Sequence, residues 1–285
     1  MKLKKIETLP TVSVIIPTFN SGGFLKEAVD SALQQTYPNL EIIVIDDGSS
    51  DDSIELLQHL SSRLTIIRKE NYGAASARNL GILQSTGEFI AFLDSDDVWN
   101  PNKIMAQVSL LREKNLDLVY CWGQEMFESN KFGKTHQSSF EGNCYQLYQK
   151  YPTRDIFGIG PSGVLLKRAL LGKSGIFDTS ITPPTEDWDF FRRYSRFAKI
   201  GFCPEVLTFR RIHSANISNA SLTTYYHGNR DAIRKMFADD DRIRFVARRV
   251  IWGKFHLMMF KSFVKKRRYM RAAWCMSLVF IPAIF

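Results

Sequence analysis

Cysteine is scarce in this 285-residue chain: the four, Cys121, Cys144, Cys203 and Cys275, lie far apart and form no CxxC pair. That spacing suits neither a zinc knuckle nor a disulfide framework, and a reducing, intracellular setting is expected. Long apolar runs are missing too. No stretch reaches the roughly 18 apolar residues that cross a bilayer, and residues 1 to 10 carry lysines without the apolar core of a signal peptide. Export and multi-span insertion are therefore not expected. Nor does GxxxxGK[ST] or GxGxxG follow the first apolar run, which removes the main support for a P-loop or a dinucleotide-binding site. What is present, 45% hydrophobic and 24% charged residues, suffices for a sizeable core in one large domain or two, and excludes disordered and collagen-like classes.

The formal charge of +9 is unevenly spread. Residues 221 to 285 hold 14 Lys/Arg against 4 Asp/Glu, which leaves residues 1 to 220 with 24 basic and 25 acidic groups. A near-neutral body lacks the broad basic face of a nucleic-acid binder, so no nucleic-acid partner is expected. The cationic tail points instead to an anionic surface.

Residues 12 to 16 form a β-branched apolar run closed by Pro17, the pattern of a buried strand. Leu25, Ala28, Val29, Ala32 and Leu33 then recur at helical spacing up to Tyr37-Pro38. A second apolar run, 41 to 45, stops at Asp46-Asp47-Gly48. Asp52 with Glu55 resembles a capping box opening a helix through Ile54, Leu57 and Leu60. Strands at 64 to 68 and 89 to 93 flank a helix at 74 to 84. Strands alternating with helices predict an α/β fold with a mostly parallel sheet flanked by helices, whose ligand edge is the one where the strands end.

Three strand ends meet at that edge: Pro17-Thr18-Phe19-Asn20, Asp46-Asp47-Gly48-Ser49 and Asp94-Ser95-Asp96-Asp97. Gathered carboxylates repel one another unless a cation or hydrogen-bond donors compensate. An Asp-x-Asp element after a buried strand suits Mg²⁺ or Mn²⁺, which takes one or two carboxylates and completes its shell with diphosphate oxygens and water. Asp96 is the expected ligand, with Asp94 its neighbour. Asp46 and Asp47 can accept hydrogen bonds from ribose hydroxyls or a base N–H. Asp and Ser are also ordinary turn and cap residues after a strand, and it is the joint occurrence at one edge that favours a site.

The runs Val14-Ile-Ile-Pro-Thr-Phe-Asn20, Ile45-Asp-Asp-Gly-Ser-Ser-Asp51, Ala77-Arg-Asn79, Phe92-Leu-Asp-Ser-Asp-Asp97 and Glu186-Asp187 resemble the family-2 glycosyltransferases, non-processive and inverting, with a Rossmann-like GT-A fold. The resemblance covers about residues 11 to 215. It implies a hexosyltransferase-type enzyme using a nucleotide-sugar donor, with UDP-sugars the default and TDP- and GDP-sugars open. By the same resemblance Pro17, Thr18, Asn20 and Asp47 line the nucleotide, Arg78 reaches the base or a phosphate, Asp94 approaches the ribose with Ser95 also among the donor-binding residues, and Asp96 holds the metal. Glu186-Asp187 then supplies the catalytic base at Asp187, which takes the proton of the attacking acceptor hydroxyl. Read without the resemblance, Glu186, Asp187 and Asp189 would complement a helix macrodipole behind a Thr185 cap. The expected chemistry is one in-line displacement that inverts the anomeric centre.

Past Trp122 the periodicity weakens, and residues 123 to 154 read as acceptor-facing loops. The segment 209 to 218 is similar to an arginine and histidine element that closes such sites: His213 would complete the metal shell or contact the diphosphate, and Arg210 or Arg211 would neutralise the leaving group. His213 as a plain loop residue stays open. The Gln-x-x-Arg-Trp motif of processive synthases is absent, so one sugar per catalytic event is expected.

Residues 1 to 220 are thus expected to form the GT-A domain, donor half about 11 to 122 and acceptor half about 123 to 220, and residues 221 to 285 a basic amphipathic helical region. Its helical face is read at Ile243, Val246, Val250 and Leu257, followed by the basic cluster 265 to 268 and a 12-residue apolar end, 274 to 285. Two roles fit this tail. It lies on an anionic membrane surface, or it caps the sheet with its cations solvated. The first would suit a glycan or lipid-linked glycan acceptor in cell-surface polysaccharide synthesis, with the enzyme cytoplasmic and peripheral on the membrane. A nucleotidyltransferase acting on sugar phosphates, or a non-catalytic sugar- or lipid-binding relative, would share the sheet and the carboxylates. The former should carry a Gly-rich basic phosphate loop, whereas Ser21-Gly22-Gly23 is followed only by Lys26.

Overall fold

A computed structural model describes residues 9–60, 62–129, 131–151, 155–214, 216 and 221–280. In chain order its strands are β1 (Val12–Thr18), β2 (Leu40–Asp46), β3 (Thr65–Arg68), β4 (Phe89–Phe92), β5 (Val98–Trp99), β6 (Leu118–Phe127), β7 (Phe132–His136), β8 (Val164–Lys167) and β9 (Ile200–Ile212). The helices are α1 (Gly23–Leu33), α2 (Ala74–Gln84), α3 (Lys103–Glu113), α4 (Tyr145–Lys150), α5 (Leu171–Ser174), α6 (Glu186–Ser195), α7 (Leu222–Asp239), α8 (Phe245–Lys265) and α9 (Tyr269–Phe280). All strands share one sheet ordered β3-β2-β1-β4-β8-β6-β9-β5, with β7 paired to β6. The first four run parallel, β9 runs parallel to β6, and β8, β7 and β5 are antiparallel insertions.

Strand parity divides the core. Val14 and Ile16 of β1 face one side with Leu25, Ala28 and Val29 of α1 and Ile104, Val108 and Leu111 of α3. Ile15 faces the other side, with Phe92, Tyr120, the α6 residues Phe190 and Tyr194, and a continuous apolar cluster reaching Ile233, Phe255, Met259 and Cys275. Both faces are covered, which is why β1 is buried along its whole length. On α2, a Cβ at position 81 would lie 2.3 Å from Ile15 Cγ2, so only glycine lets this helix seat directly on β1.

Local expectations are corrected at four places. The segment after Asp52 is a 3₁₀ helix, Glu55–Leu60, and in the turn before it the Asp51 carboxylate accepts from the N–H of Ser53 and of Gly22. Thr185 stands at the N-cap of α6 but donates its hydroxyl to Thr182 O at 2.9 Å instead of accepting from the helix. The stretch past Trp122 holds the β6–β7 hairpin and α4; its last residues, 152–154, lie outside the described ones. In the tail the helical period is right and the face is wrong. Ile243 is buried, but Val246, Val250 and Leu257 are exposed, while Ile251, Phe255, Met259 and Phe263 pack inward. Residues 281–285 of the apolar end and 215, 217 and 218 of the arginine and histidine element also lie outside the described residues.

Candidate active site

Parallel strands deliver their C-terminal ends to one edge, and a cavity of about 660 Å³ opens there, within the range of small-molecule sites. Pro17, Thr18, Asn20, Asp47, Arg78, Asp94, Ser95, Asp96, Asp187, Arg210 and His213 all line it. Asp46 and Arg211 do not. Asp46, the last residue of β2, is buried, accepts from the N–H of Ser49 at 2.8 Å and lies 3.3 Å from Arg68 Nε. Arg210 and Arg211 are successive residues of an extended strand, whose side chains point to opposite faces. Arg210 faces the cavity, and Arg211 turns away to Glu27 Oε2 at 2.5 Å and to the Asp96 carbonyl.

Side chains tie the strand-end loops together. Asn20, in the left-handed region at φ 49°, donates its N–H to Ser49 Oγ and accepts from the N–H of Ser50. Ser21 Oγ lies 2.6 Å from Ser95 Oγ, joining the β1 and β4 ends. The Asp47 carboxylate accepts from the N–H groups of Tyr72 at 3.1 Å and Gly73 at 2.7 Å, and pairs with Lys69. It thereby orders the loop before α2, and its oxygens keep lone pairs for a further donor.

Arg78 bridges two carboxylates through its Nη atoms, and its Nε has no hydrogen-bond partner among the described residues. Nη2 donates to Asp94 Oδ1 at 2.7 Å and Nη1 to Glu186 Oε1 at 3.3 Å, so one buried guanidinium links the β4 end to the start of α6. Burial disfavours its charge, but Asp94 and Glu186 outweigh that and hold it above its ordinary value. Asp187, next along α6, accepts from the N–H of Trp188 at 2.6 Å. Burial in the cavity wall, then the charges of Glu186 and Asp155, push its carboxyl up to about 8, with Arg78 opposing. Asp189 belongs to the core: it is wholly buried and binds Arg192 and Arg193.

Asp96 Oδ2 lies 2.9 Å from His213 Nε2 and accepts from Asn216 Nδ2 at 3.0 Å. Among the described residues no three His, Cys, Asp or Glu side chains form a metal cage. One carboxylate and one imidazole side by side nonetheless fit a hard divalent cation that takes its remaining ligands from phosphate and water. Asp97, behind them, is buried, and burial with the charges of Asp96 and Asp94 raises its carboxyl well above the usual range.

Residues of the cavity wall not anticipated as site residues include Tyr148, Asp155, Trp188, Asn216 and Asn229. Asn216 carried a readable signal, three residues after His213, whose N–H it caps at 2.6 Å. The others stand in aperiodic stretches or on helices that reach the site only through tertiary packing.

The family model for glycosyl transferase family 2 matches residues 13–175. An uncharacterized glycosyltransferase of Rickettsia prowazekii is 35% identical over 223 residues, 75% of this chain and 67% of that one. A UDP-Glc:alpha-D-GlcNAc-diphosphoundecaprenol beta-1,3-glucosyltransferase of Escherichia coli is 40% identical over 111 residues, 38% of this chain and 44% of that one. The chain thus matches two thirds of the first relative's length and under half of the second's. Among solved structures, residues 1–349 of Staphylococcus aureus TarS, in complex with UDP-GlcNAc, superpose with a TM-score of 0.69 at 20% identity, covering 92% of this chain and 79% of that one. That likeness is one of fold, a GT-A α/β sheet with a C-terminal helical region. A family model spanning more than half of the chain, on such a sheet with such a cavity, leads to one conclusion: this protein is a glycosyltransferase and belongs to glycosyl transferase family 2.

Proposed function

We propose that the protein transfers a sugar, with inversion, from a UDP-sugar to a hydroxyl of a lipid-linked glycan during cell-surface polysaccharide synthesis. The observation that carries this reading is one cavity lined by Asp47, Asp94, Asp96 and His213 on the donor side and by Asp187 at the head of α6. Pro17, Thr18, Asn20 and Asp47 bind the nucleotide, and Asp94 and Ser95 lie toward the ribose. Asp96 and His213 would hold Mn²⁺ or Mg²⁺, which supplies positive charge to the diphosphate. Arg210 adds a fixed cation for the charge that develops on the leaving group. Arg78 holds Asp94 and Glu186 in place. Asp187 takes the acceptor proton, and a carboxyl near 8 makes a base matched to neutral or mildly alkaline conditions.

A lipid-linked acceptor is supported by the acceptor in the E. coli relative's name and by the tail. Among the described residues no helix is long and apolar enough to cross a membrane. Val246, Val250, Leu257 and Val264 of α8 are exposed, as are Met270 and Trp274 of α9, and residues 242 to 285 hold 11 Lys/Arg and no Asp/Glu. Such a surface suits the anionic cytoplasmic face of a membrane, where each nearby cation contributes about 1 kcal/mol. The test is a donor screen: the protein is incubated with UDP-, TDP- and GDP-sugars and Mn²⁺, and free nucleoside diphosphate is measured. UDP release from a UDP-sugar is expected. Release of no nucleoside diphosphate from any donor would refute the reading.

A further inference from the structure

Among the described residues four polar atoms of the cavity wall are buried with no hydrogen-bond partner: Arg78 Nε and Glu186 Oε2, within the carboxylate bridge, and, outside that bridge, Trp188 Nε1 and Asn229 Oδ1. Asn229 is fully buried and Trp188 only 6% exposed. Native structures seldom leave such groups unpaired, because each forfeits its water without compensation, and the chemistry assigned above uses neither. One is a donor and the other an acceptor. Tyr148 meets Trp188 edge-on with ring centroids 5.5 Å apart, and Phe191 lines the same region.

Asn229 comes from α7, outside the segment that the family model matches. Its amide nitrogen donates to Tyr225 O at 2.7 Å, which fixes the amide with its oxygen left over. The helix is held close by Gly228: a Cβ there would lie 2.5 Å from Thr182 O and 2.6 Å from Thr185 Oγ1. α7 is thus seated directly on the segment that leads into Glu186 and Asp187.

A buried N–H, a buried carbonyl oxygen and aromatic rings in the wall of one cavity complement a pyranose ring, which presents hydroxyls at its rim and C–H groups on its faces. We infer that Trp188 and Asn229, flanked by Tyr148 and Phe191, form the subsite that holds the pyranose ring of the sugar acceptor, so that α7 is part of the site. This rests on the reading of Asp187 as the base of a glycosyltransferase.

Binding of p-nitrophenyl pyranosides of glucose, galactose, mannose and N-acetylglucosamine, measured by saturation-transfer NMR with UDP and Mg²⁺ present, tests the assignment. At least one should bind the full-length protein. Trp188→Phe and Asn229→Leu should each weaken that binding about tenfold and leave UDP affinity unchanged, and Trp188→His, which restores a ring N–H, should recover part of the loss. UDP affinity also reports whether each variant has folded, and the two substitutions on separate helices stand in for one another. If UDP binds and no pyranoside does, or if both folded variants bind pyranoside as the parent does, the subsite is refuted while the donor reading survives. If UDP itself fails to bind, the donor reading falls and takes the subsite with it.

Discussion

Asp187 shares its corner of the cavity with Glu186 and Asp155, and burial together with those charges makes its proton hard to remove. Since the deprotonated form is the base, kcat/KM for transfer should rise about tenfold per pH unit below about 8 and level off above it. Asp187→Asn should flatten that limb and lower transfer at least about 10²-fold, with nucleotide affinity retained. Stability moves the opposite way. A carboxyl raised in the folded state above its ordinary value of 3.8 favours folding most below 3.8, and that contribution is lost as pH rises through about 8. The same substitution should therefore raise the melting temperature at neutral pH, and a fall would contradict the assigned shift. Adjacent residues separate at this scale in ways the letters alone do not show. Asp47 faces the cavity and Asp46 does not; Arg210 does and Arg211 does not. Asp47 stands past the end of β2, and strand parity decides the arginines. It could not be applied to the arginines because residues 200 to 212, with Gly, Pro and charged residues interrupting the apolar positions, do not read as a strand.

Among the elements, α2 and α6 are joined to the end of β4 by Arg78, with Asp94 on one side and Glu186 on the other. Removing the cation leaves two carboxylates facing each other without it, so Arg78→Met should cost about 3–5 kcal/mol, read as a lower urea midpoint. An unchanged midpoint would show that the bridge is not structural. β1, β2 and β4 were legible because parallel strands buried on both faces are written as continuous apolar runs that end in turn residues. The tail helices were legible in period and not in face. α8 carries apolar residues on two sides, Ile251, Phe255, Met259 and Phe263 inward and Val246, Val250, Leu257 and Val264 outward, and spacing does not say which side meets the sheet. Trp188 and Asn229 were invisible for a related reason. A buried Trp and a helical Asn look structural until packing brings them beside Asp187.

On the scale of the whole molecule, near-neutral body and cationic tail divide the work between the cavity and a surface. The full-length protein should co-sediment with phosphatidylglycerol vesicles at low salt and release as salt rises. Replacing Lys261 and Lys265 on the exposed face of α8 by Glu should abolish that binding, and equal partition onto neutral phosphatidylcholine would contradict the electrostatic account. The central claim concerns the strand-end carboxylates, and calorimetric titration of UDP into the protein with and without Mn²⁺ tests it most directly. The account predicts that UDP binds much more tightly with Mn²⁺, that Asp96→Asn loses this enhancement, and that Asp187→Asn keeps it. UDP affinity indifferent both to the metal and to Asp96 would contradict it.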